Sequence, residues 1–303
     1  MIHLRQYQCA LAVAEHGSFQ RAAEGLGITP SGLTQSIQKL EAHFGAPLFH
    51  RGRNGITPTP AGKIAIEGAR AILNRAAAVD REIELLSSPE TGHLSIGTDP
   101  TLSNAVLAPI LTDLMRTAPS MRFSVTSGSR RDLITGLNER AIDLVLCYPD
   151  PSAVHTGQTT VDLTTDAPIV VARPDHPIMA LKERKLHEYF QYPRVGAHLP
   201  AWYLAWAEFQ MAREGQPTEV NQDYFVFGND IQLLKTLVGS TDAVMGVFRQ
   251  DVELELEKGL LIELNPVDWP QSVPMEIVYS SERPLPSSAS AVVDALSDAH
   301  PKN

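Results

Sequence analysis

The stretch Thr29 to Phe44, TPSGLTQSIQKLEAHF, restricts the fold of its end of the chain more than any other segment. Thr29 is a helix-capping residue, and Pro30 suits the first helical position, where its missing N–H costs nothing. Leu33, Ile37, Leu40 and Phe44 recur at i, i+4, i+7 and i+11, so at 3.6 residues per turn they form one narrow apolar stripe that goes to a core. Opposite lie Ser31, Gln35, Gln38 and Ala42, with Thr34 and Lys39 on the flanks. Short and amide-bearing side chains of this kind can approach base edges in a DNA major groove and exchange hydrogen bonds with them. An ordinary amphipathic surface helix has the same pattern, so the neighbouring segments decide between the two.

Those neighbours complete a motif. Leu4, Tyr7, Leu11 and Ala14 make a helical stripe ending near Gly17. Ser18 restarts the chain as a cap, and Phe19, Ala22, Ala23 and Leu26 follow before Gly27. Two short helices joined by Gly27-Ile28-Thr29, the second carrying the polar face, form a helix-turn-helix. Beyond Gly45, Asn54-Gly55 favours a tight hairpin turn with Arg51 and Arg53 beside it. That is a wing able to touch phosphate; a surface hairpin with two solvated arginines reads identically.

Charge agrees with nucleic acid only locally. The 303 residues carry a net charge of −10. Residues 1–63 contain six Lys and Arg (Arg5, Arg21, Lys39, Arg51, Arg53, Lys63) and three acids (Glu15, Glu24, Glu41), which gives +3 and leaves −13 for the remainder. A local field suffices to attract phosphate. Two cysteines, Cys9 and Cys147, are too few and too far apart for a disulfide framework or a zinc site, which suits a reducing compartment. With no targeting segment and no apolar run approaching a bilayer span, the expected location is the cytoplasm, with no membrane partner.

The run Gly17-Ser18-Phe19, Ala22-Ala23, Leu26, then Thr29-Pro30-Ser31, Thr34, Ile37, Leu40-Glu41, Gly45, Leu48-Phe49, Arg51, and finally Thr59, Ala61-Gly62, resembles the signature of LysR-type transcriptional regulators. It spans about sixty residues in register. Thr34 stands where many members have serine, and Pro58 where leucine is usual; the second departure bears on the exit from the wing. The resemblance implies DNA contacts from Ser18, Thr29, Pro30, Ser31, Thr34, Gln35, Gln38, Lys39, Arg51 and Arg53.

Thr59 and Pro60 can start another helix. Ala65, Ala69, Ile72, Ala76, Val79, Ile83 and Leu86 follow at the alternating spacing of a coiled-coil seam. About 27 residues give roughly 40 Å of helix. Its seam would stay wet unless paired, so we expect a second copy of the chain against it; packing on its own chain is the alternative. The resemblance implies a dimer through this linker, commonly assembled into a tetramer, on an inverted-repeat operator in double-stranded DNA. Ser87 to Gly92 reads as a hinge.

From His93 onward, short strands alternate with helical stripes: Leu94–Gly97, Leu102–Leu114, Met121–Val125, Leu133–Leu137 and Ile142–Cys147. This is the signature of a parallel sheet with crossover helices. The resemblance extends it to a periplasmic-binding-protein-like fold. The expected class is therefore an α+β multi-domain chain: winged helix-turn-helix (1–59), linker helix and hinge (60–88), and α/β effector-binding domain (89–303). Within the last, subdomain I covers about 92–165 and 269–303, and subdomain II about 166–268, with crossings near Asp162–Thr165 and Pro266–Ser272. Ligands of such sheets sit beyond strand carboxyl ends, near helix N-termini. That selects Thr98, Thr101, Ser103, Ser127, Gly128, Ser129, Cys147 and Tyr148, and from the second subdomain His198, Phe227 and Asn229. For each Ser and Thr, simple helix capping competes with ligand contact. Arg130 or Arg131 could add charge for a small organic acid or related metabolite.

No nucleophile elbow, phosphate loop or zinc motif accompanies these residues, so we expect no enzyme, no catalytic residue, no metal and no cofactor. His176 and His198 are isolated. With one cysteine in the domain an internal disulfide switch is excluded, leaving sulfenic acid chemistry at Cys147. The competing reading is a solute sensor whose basic first sixty residues dock a protein instead of DNA.

Overall fold

The computed structural model describes residues 2–52, 55–87, 93–153, 156–196, 200–217, 224–282 and 285–302. The chain divides into two compact units, residues 1–87 with 138–141, and the rest.

In the first unit, α1 (Leu4–His16), α2 (Phe19–Gly25) and α3 (Pro30–Phe44) pack around one core and lead into the two-stranded wing β1 (Phe49–Gly52) and β2 (Gly55–Pro58), then α4 (Pro60–Ser87). Ser18 caps α2 by accepting from the Arg21 N–H, and Thr29 caps α3 by accepting from the Gly32 N–H at 3.1 Å. Gly17 and Gly45 close α1 and α3 in the left-handed region, φ 59° and 68°, where a side chain would be strained. Leu33, Ile37 and Leu40 are buried as the stripe requires, each worth about 1.5–3 kcal/mol. Phe44 is not: it is 44% exposed, because α3 outruns the core in its last turn. The α1 stripe is likewise shifted. Leu4 is 47% exposed, and the buried face is Cys9, Ala10 and Val13, small enough for the three helices to cross closely.

A hydrogen-bond knot ties the wing to α3 and α4. The Glu41 carboxylate accepts from the Leu48 N–H at 2.7 Å. The Thr59 N–H reaches Leu48 O at 2.9 Å, its hydroxyl donates to Pro47 O at 2.7 Å, and the same hydroxyl accepts from the Gly62 N–H at 2.9 Å. Pro58, opposite Phe49, costs the wing nothing, because the adjoining bond is made by Thr59. The expected linker seam splits in two. Ala65 packs on the core of its own unit and Ala69 is fully buried, whereas Ile72, Val79 and Ile83 are exposed. The side chain of Leu86 lies outside the described residues, as do Arg53, Asn54 and residues 88–92 of the expected hinge.

The second unit holds two sheets. In subdomain I, β3 (His93–Thr98), β4 (Arg122–Ser127), β5 (Leu144–Cys147), β6 (Gln158–Asp166) and β12 (Ser272–Ser280) lie in the order β4-β3-β5-β12-β6. The first three are parallel, as the sequence pattern requires; β12 runs antiparallel to both β5 and β6. The sheet as a whole is mixed, because β12 enters from the other subdomain and adds an antiparallel strand to the parallel set. β6 runs through the expected first crossing, and β12 starts where the second ends. The single helix expected over Leu102–Leu114 is three pieces, α5 (Pro100–Leu102), a π-helical turn (Ser103–Leu107) and α6 (Ala108–Thr117). Pro109 removes a donor from the ladder, and the Ala108 N–H reaches back to Ser103 O. α7 (Arg130–Asn138) and α12 (Ser287–Ala299) complete this half.

Subdomain II is built on β7 (Ile169–Ala172), flanked antiparallel by β10 (Met245–Val247) and β11 (Ile262–Glu263), with β8 (Val195–Gly196) and β9 (Val226–Phe227) as a parallel pair. Its helices are α8 (Leu186–Tyr189), α9 (Ala201–Arg213), α10 (Ile231–Ser240) and α11 (Arg249–Glu257).

The knot can be tested through its glycine. A Cβ on Gly62 would lie 1.9 Å from Leu48 O, whereas Gly68, on the same helix, has open space. Gly62→Ala should destabilise the first unit by about 1–3 kcal/mol in urea unfolding. Gly68→Ala should be neutral or stabilising by up to about 1 kcal/mol.

Candidate nucleic-acid interface and ligand cleft

The polar face of α3 is presented outward. Ser31, Gln35, Gln38, Lys39 and Ala42 are exposed above the buried Leu33, Ile37 and Leu40. The flanking Thr34 is half-buried and donates to Pro30 O at 2.9 Å, which holds its hydroxyl against the helix and leaves an oxygen able to accept. Exposed Thr29 and Pro30 form the amino-terminal edge of this face, where the positive end of the helix favours a phosphate. Thr29 and Ser31 hydroxyls lie 3.2 Å apart. Ser18 acts first as a cap. Backbone pairing places Arg51 opposite Ile56 in the wing; its side chain and all of Arg53 lie outside the described residues.

In the second unit the strand ends do not behave alike. Thr101 and Tyr148 meet across the carboxyl ends of β3 and β5, their hydroxyls 3.0 Å apart, and both face one cavity. Ser103 and Ser127 hydroxyls lie 3.2 Å apart, and the Gly128 N–H reaches Thr98 O at 3.2 Å. Thr98 is itself fully buried and turned onto Asp99 O, so it supports the loop instead of meeting a ligand. Ser129 caps α7 and pairs with Asp132. Phe227 and Asn229 are exposed and stand outside the cavity lining; His198 lies outside the described residues. Arg130 cannot supply free charge, because its guanidinium is 2.6 Å from the buried Glu276 carboxylate. His176 is structural: Nδ1 accepts from the Ile178 N–H and Nε2 donates to Asp242 O.

The cavity itself is about 110 Å³ and draws most of its wall from subdomain II. Its walls include Trp202 and Tyr203 of α9, Arg194 before β8, Tyr224 before β9, and Trp269 of the returning crossing. Burial pushes the Tyr203 phenol up to about 12, against the pull of the Arg194 charge.

Residues 87–301 match the LysR substrate binding domain family, and residues 4–63 match the bacterial regulatory helix-turn-helix proteins of the lysR family. The chain belongs to the LysR family of transcriptional regulators. Among its relatives is the SDS degradation transcriptional activation protein of a Pseudomonas species, 28% identical over 98% of this chain and 96% of that one. The HTH-type transcriptional regulator CbbR of Sinorhizobium medicae is 27% identical over 89% of this chain and 84% of its own. The fold matches the crystal structure of CbnR, a LysR family regulator, with a TM-score of 0.75 at 19% identity, covering 99% and 100% of the two chains. It also matches full-length CbnR in complex with its target DNA, TM-score 0.74 at 20% identity, over 98% and 99%. The helix-turn-helix is thus a DNA-binding module of a LysR-type regulator, and the protein-docking reading is not favoured. Among the described residues no helix is long and apolar enough to cross a membrane, and no cluster of metal-ligating side chains is found.

Sequence reasoning about this LysR-type regulator missed the aromatic wall. One signal was available: the chain has three tryptophans, and Trp202, Trp206 and Trp269 converge on Tyr203. Cys147 is also poorly suited to sulfenic acid chemistry. It is fully buried, and burial, with the Glu276 carboxylate nearby, pushes its thiol up to about 12. A raised pKa keeps the thiol protonated, and the thiolate is the reactive form. At about pH 8 iodoacetamide should modify neither Cys147 nor the buried Cys9 in the native protein, and both after denaturation, as read by mass spectrometry.

Proposed function

We propose that this regulator binds an inverted-repeat operator as a dimer paired through α4, and that a small molecule between the two subdomains alters its DNA geometry. The observation that carries the first part is the outward polar face of α3 over a fully buried stripe. The exposed Ile72, Val79 and Ile83 supply the seam for pairing. Two copies related by a two-fold axis present two recognition helices, which suits half-sites about one helical turn apart, roughly 34 Å. Dimers of this kind can assemble further into a tetramer. In this reading the protein acts in the cytoplasm, without turnover, and no group in it is asked to do chemistry.

Gln35, Ser31, Thr34 and Gln38 read bases or adjacent phosphates, while Lys39, Arg51 and Arg53 hold the backbone. The effector acts only through unequal affinity for two arrangements of the oligomer, coupled through the segment 87–92. Gel shifts over a salt series test the DNA half. Gln35→Ala should change preference at one base position by about 1–3 kcal/mol. Lys39→Gln should weaken all sequences alike and reduce the salt slope by about 1. Unchanged affinity and preference in Gln35→Ala would remove this face from the interface.

A further inference from the structure

The hydrogen-bonding capacity of the outward side of α3 is narrow. The Thr34 hydroxyl gives its hydrogen to Pro30 O at 2.9 Å, and the Ser36 hydroxyl gives its own to Gly32 O at 3.0 Å. Neither can donate to a base. Thr29 and Ser31 share one hydrogen between hydroxyls 3.2 Å apart, at the amino-terminal edge. The carboxylate of the helix, Glu41, is half-buried and accepts from the Leu48 N–H at 2.7 Å, within the knot under the wing. No arginine stands between Pro30 and Phe44.

Gln35 and Gln38 differ from these. Both are exposed, and among the described residues neither side-chain amide is engaged by another group. Three residues apart, they share one side of the helix, separated by about 4.5 Å of rise. Stacked base pairs are about 3.4 Å apart, so the two amides reach separate pairs. An unengaged carboxamide offers a donor and an acceptor side by side. In the major groove the adenine edge presents the matching set, an N6 donor and an N7 acceptor, whereas guanine presents two acceptors and cytosine one donor. A carboxylate suits cytosine and an arginine suits guanine, and the outward side of α3 holds neither. Lys39, on the flank, is the group in its first three turns that could serve guanine.

Resting on the reading of α3 as the recognition helix, we propose that it selects A·T pairs through the major groove, Gln35 and Gln38 each taking one adenine by its N6 and N7. Each half-site then holds two such positions, and two-fold symmetry repeats them in the other half. A narrow minor groove also favours A·T, but that route makes no use of these amides.

In vitro selection of random duplexes by the full-length protein tests this, with Gln35→Ala and Gln38→Ala alongside and the fold of each variant checked by thermal unfolding. The unaltered protein should enrich A·T at two positions of each half-site, one relaxing in each variant. On the enriched duplex, inosine·cytosine at either position keeps the minor-groove pattern of A·T and gives the major groove that of G·C. It should weaken binding by the unaltered protein about fivefold or more. Replacing that adenine with 7-deazaadenine, which lacks the N7 acceptor, should weaken binding about threefold or more. In Gln35→Ala neither replacement should cost anything further at the position that variant relaxes. Undiminished binding to the inosine·cytosine duplexes, or G·C at the positions that relax, overturns the proposal and leaves α3 as the recognition helix. Unchanged affinity and unchanged selected sequences in both folded variants overturn the proposal and that reading together.

Discussion

β6 and β12 lie antiparallel from Ser272 opposite Asp166 to Ser280 opposite Gln158, and the architecture of the ligand cleft depends on that ladder. One strand leads out of subdomain I, the other leads back, and the Ala167 N–H still reaches Gln271 O at 3.0 Å beyond the paired strands. The two crossings are therefore neighbours, and relative motion of the subdomains must bend both at one level. Trp269 sits in the returning crossing. Its indole N–H donates to Pro168 O in the outgoing one at 2.6 Å, while its ring walls the cavity. A ligand that packs on Trp269 thus touches the segment about which the subdomains would move.

The DNA-binding unit was legible wherever a residue type has one physical use. Thr29 before Pro30 had to cap, Gly17 and Gly45 had to end helices, and Leu33, Ile37 and Leu40 had to face inward. The motif positions Glu41, Leu48, Thr59 and Gly62 proved to be members of one hydrogen-bond knot, which explains their spacing without reference to DNA. Periodicity failed at the ends. Phe44 and Leu4 satisfy the repeat yet stand beyond the reach of the core, and Ala65 shares a seam with Ile72 while packing on a different surface. A repeat states which residues share a face; the partner of that face is a tertiary fact.

The cleft was legible as a place and much less as a set of side chains. Choosing hydroxyls after strands selected Thr101 and Tyr148, which line the cavity, but the same rule collected Ser129, which caps α7, and Thr98, which turns onto its own loop. Short polar side chains near helix starts serve the backbone first. The aromatic wall escaped for the opposite reason. Trp202 and Tyr203 lie on α9, and Tyr224 and Trp269 come from separate segments that only folding brings together.

Coupling requires contacts that differ between two arrangements, since a ligand with equal affinity for both shifts nothing however tightly it binds. A molecule held wholly by subdomain II would bind without signalling. The cavity is lined from both sides, because Tyr148 and Thr101 come from the other subdomain, with the Tyr148 ring 6.3 Å from that of Trp202. Nearby, Asn104 in the π-helical turn donates to Asp251 of α11 at 2.8 Å, a second polar tie across the same divide. Each tenfold bias between open and closed cleft needs about 1.4 kcal/mol of such cross-cleft difference. One hydrogen bond and part of one ring contact are enough to supply it. Coupling of this kind therefore does not need a large rearrangement of the cleft, only contacts to both of its sides that differ between the two arrangements.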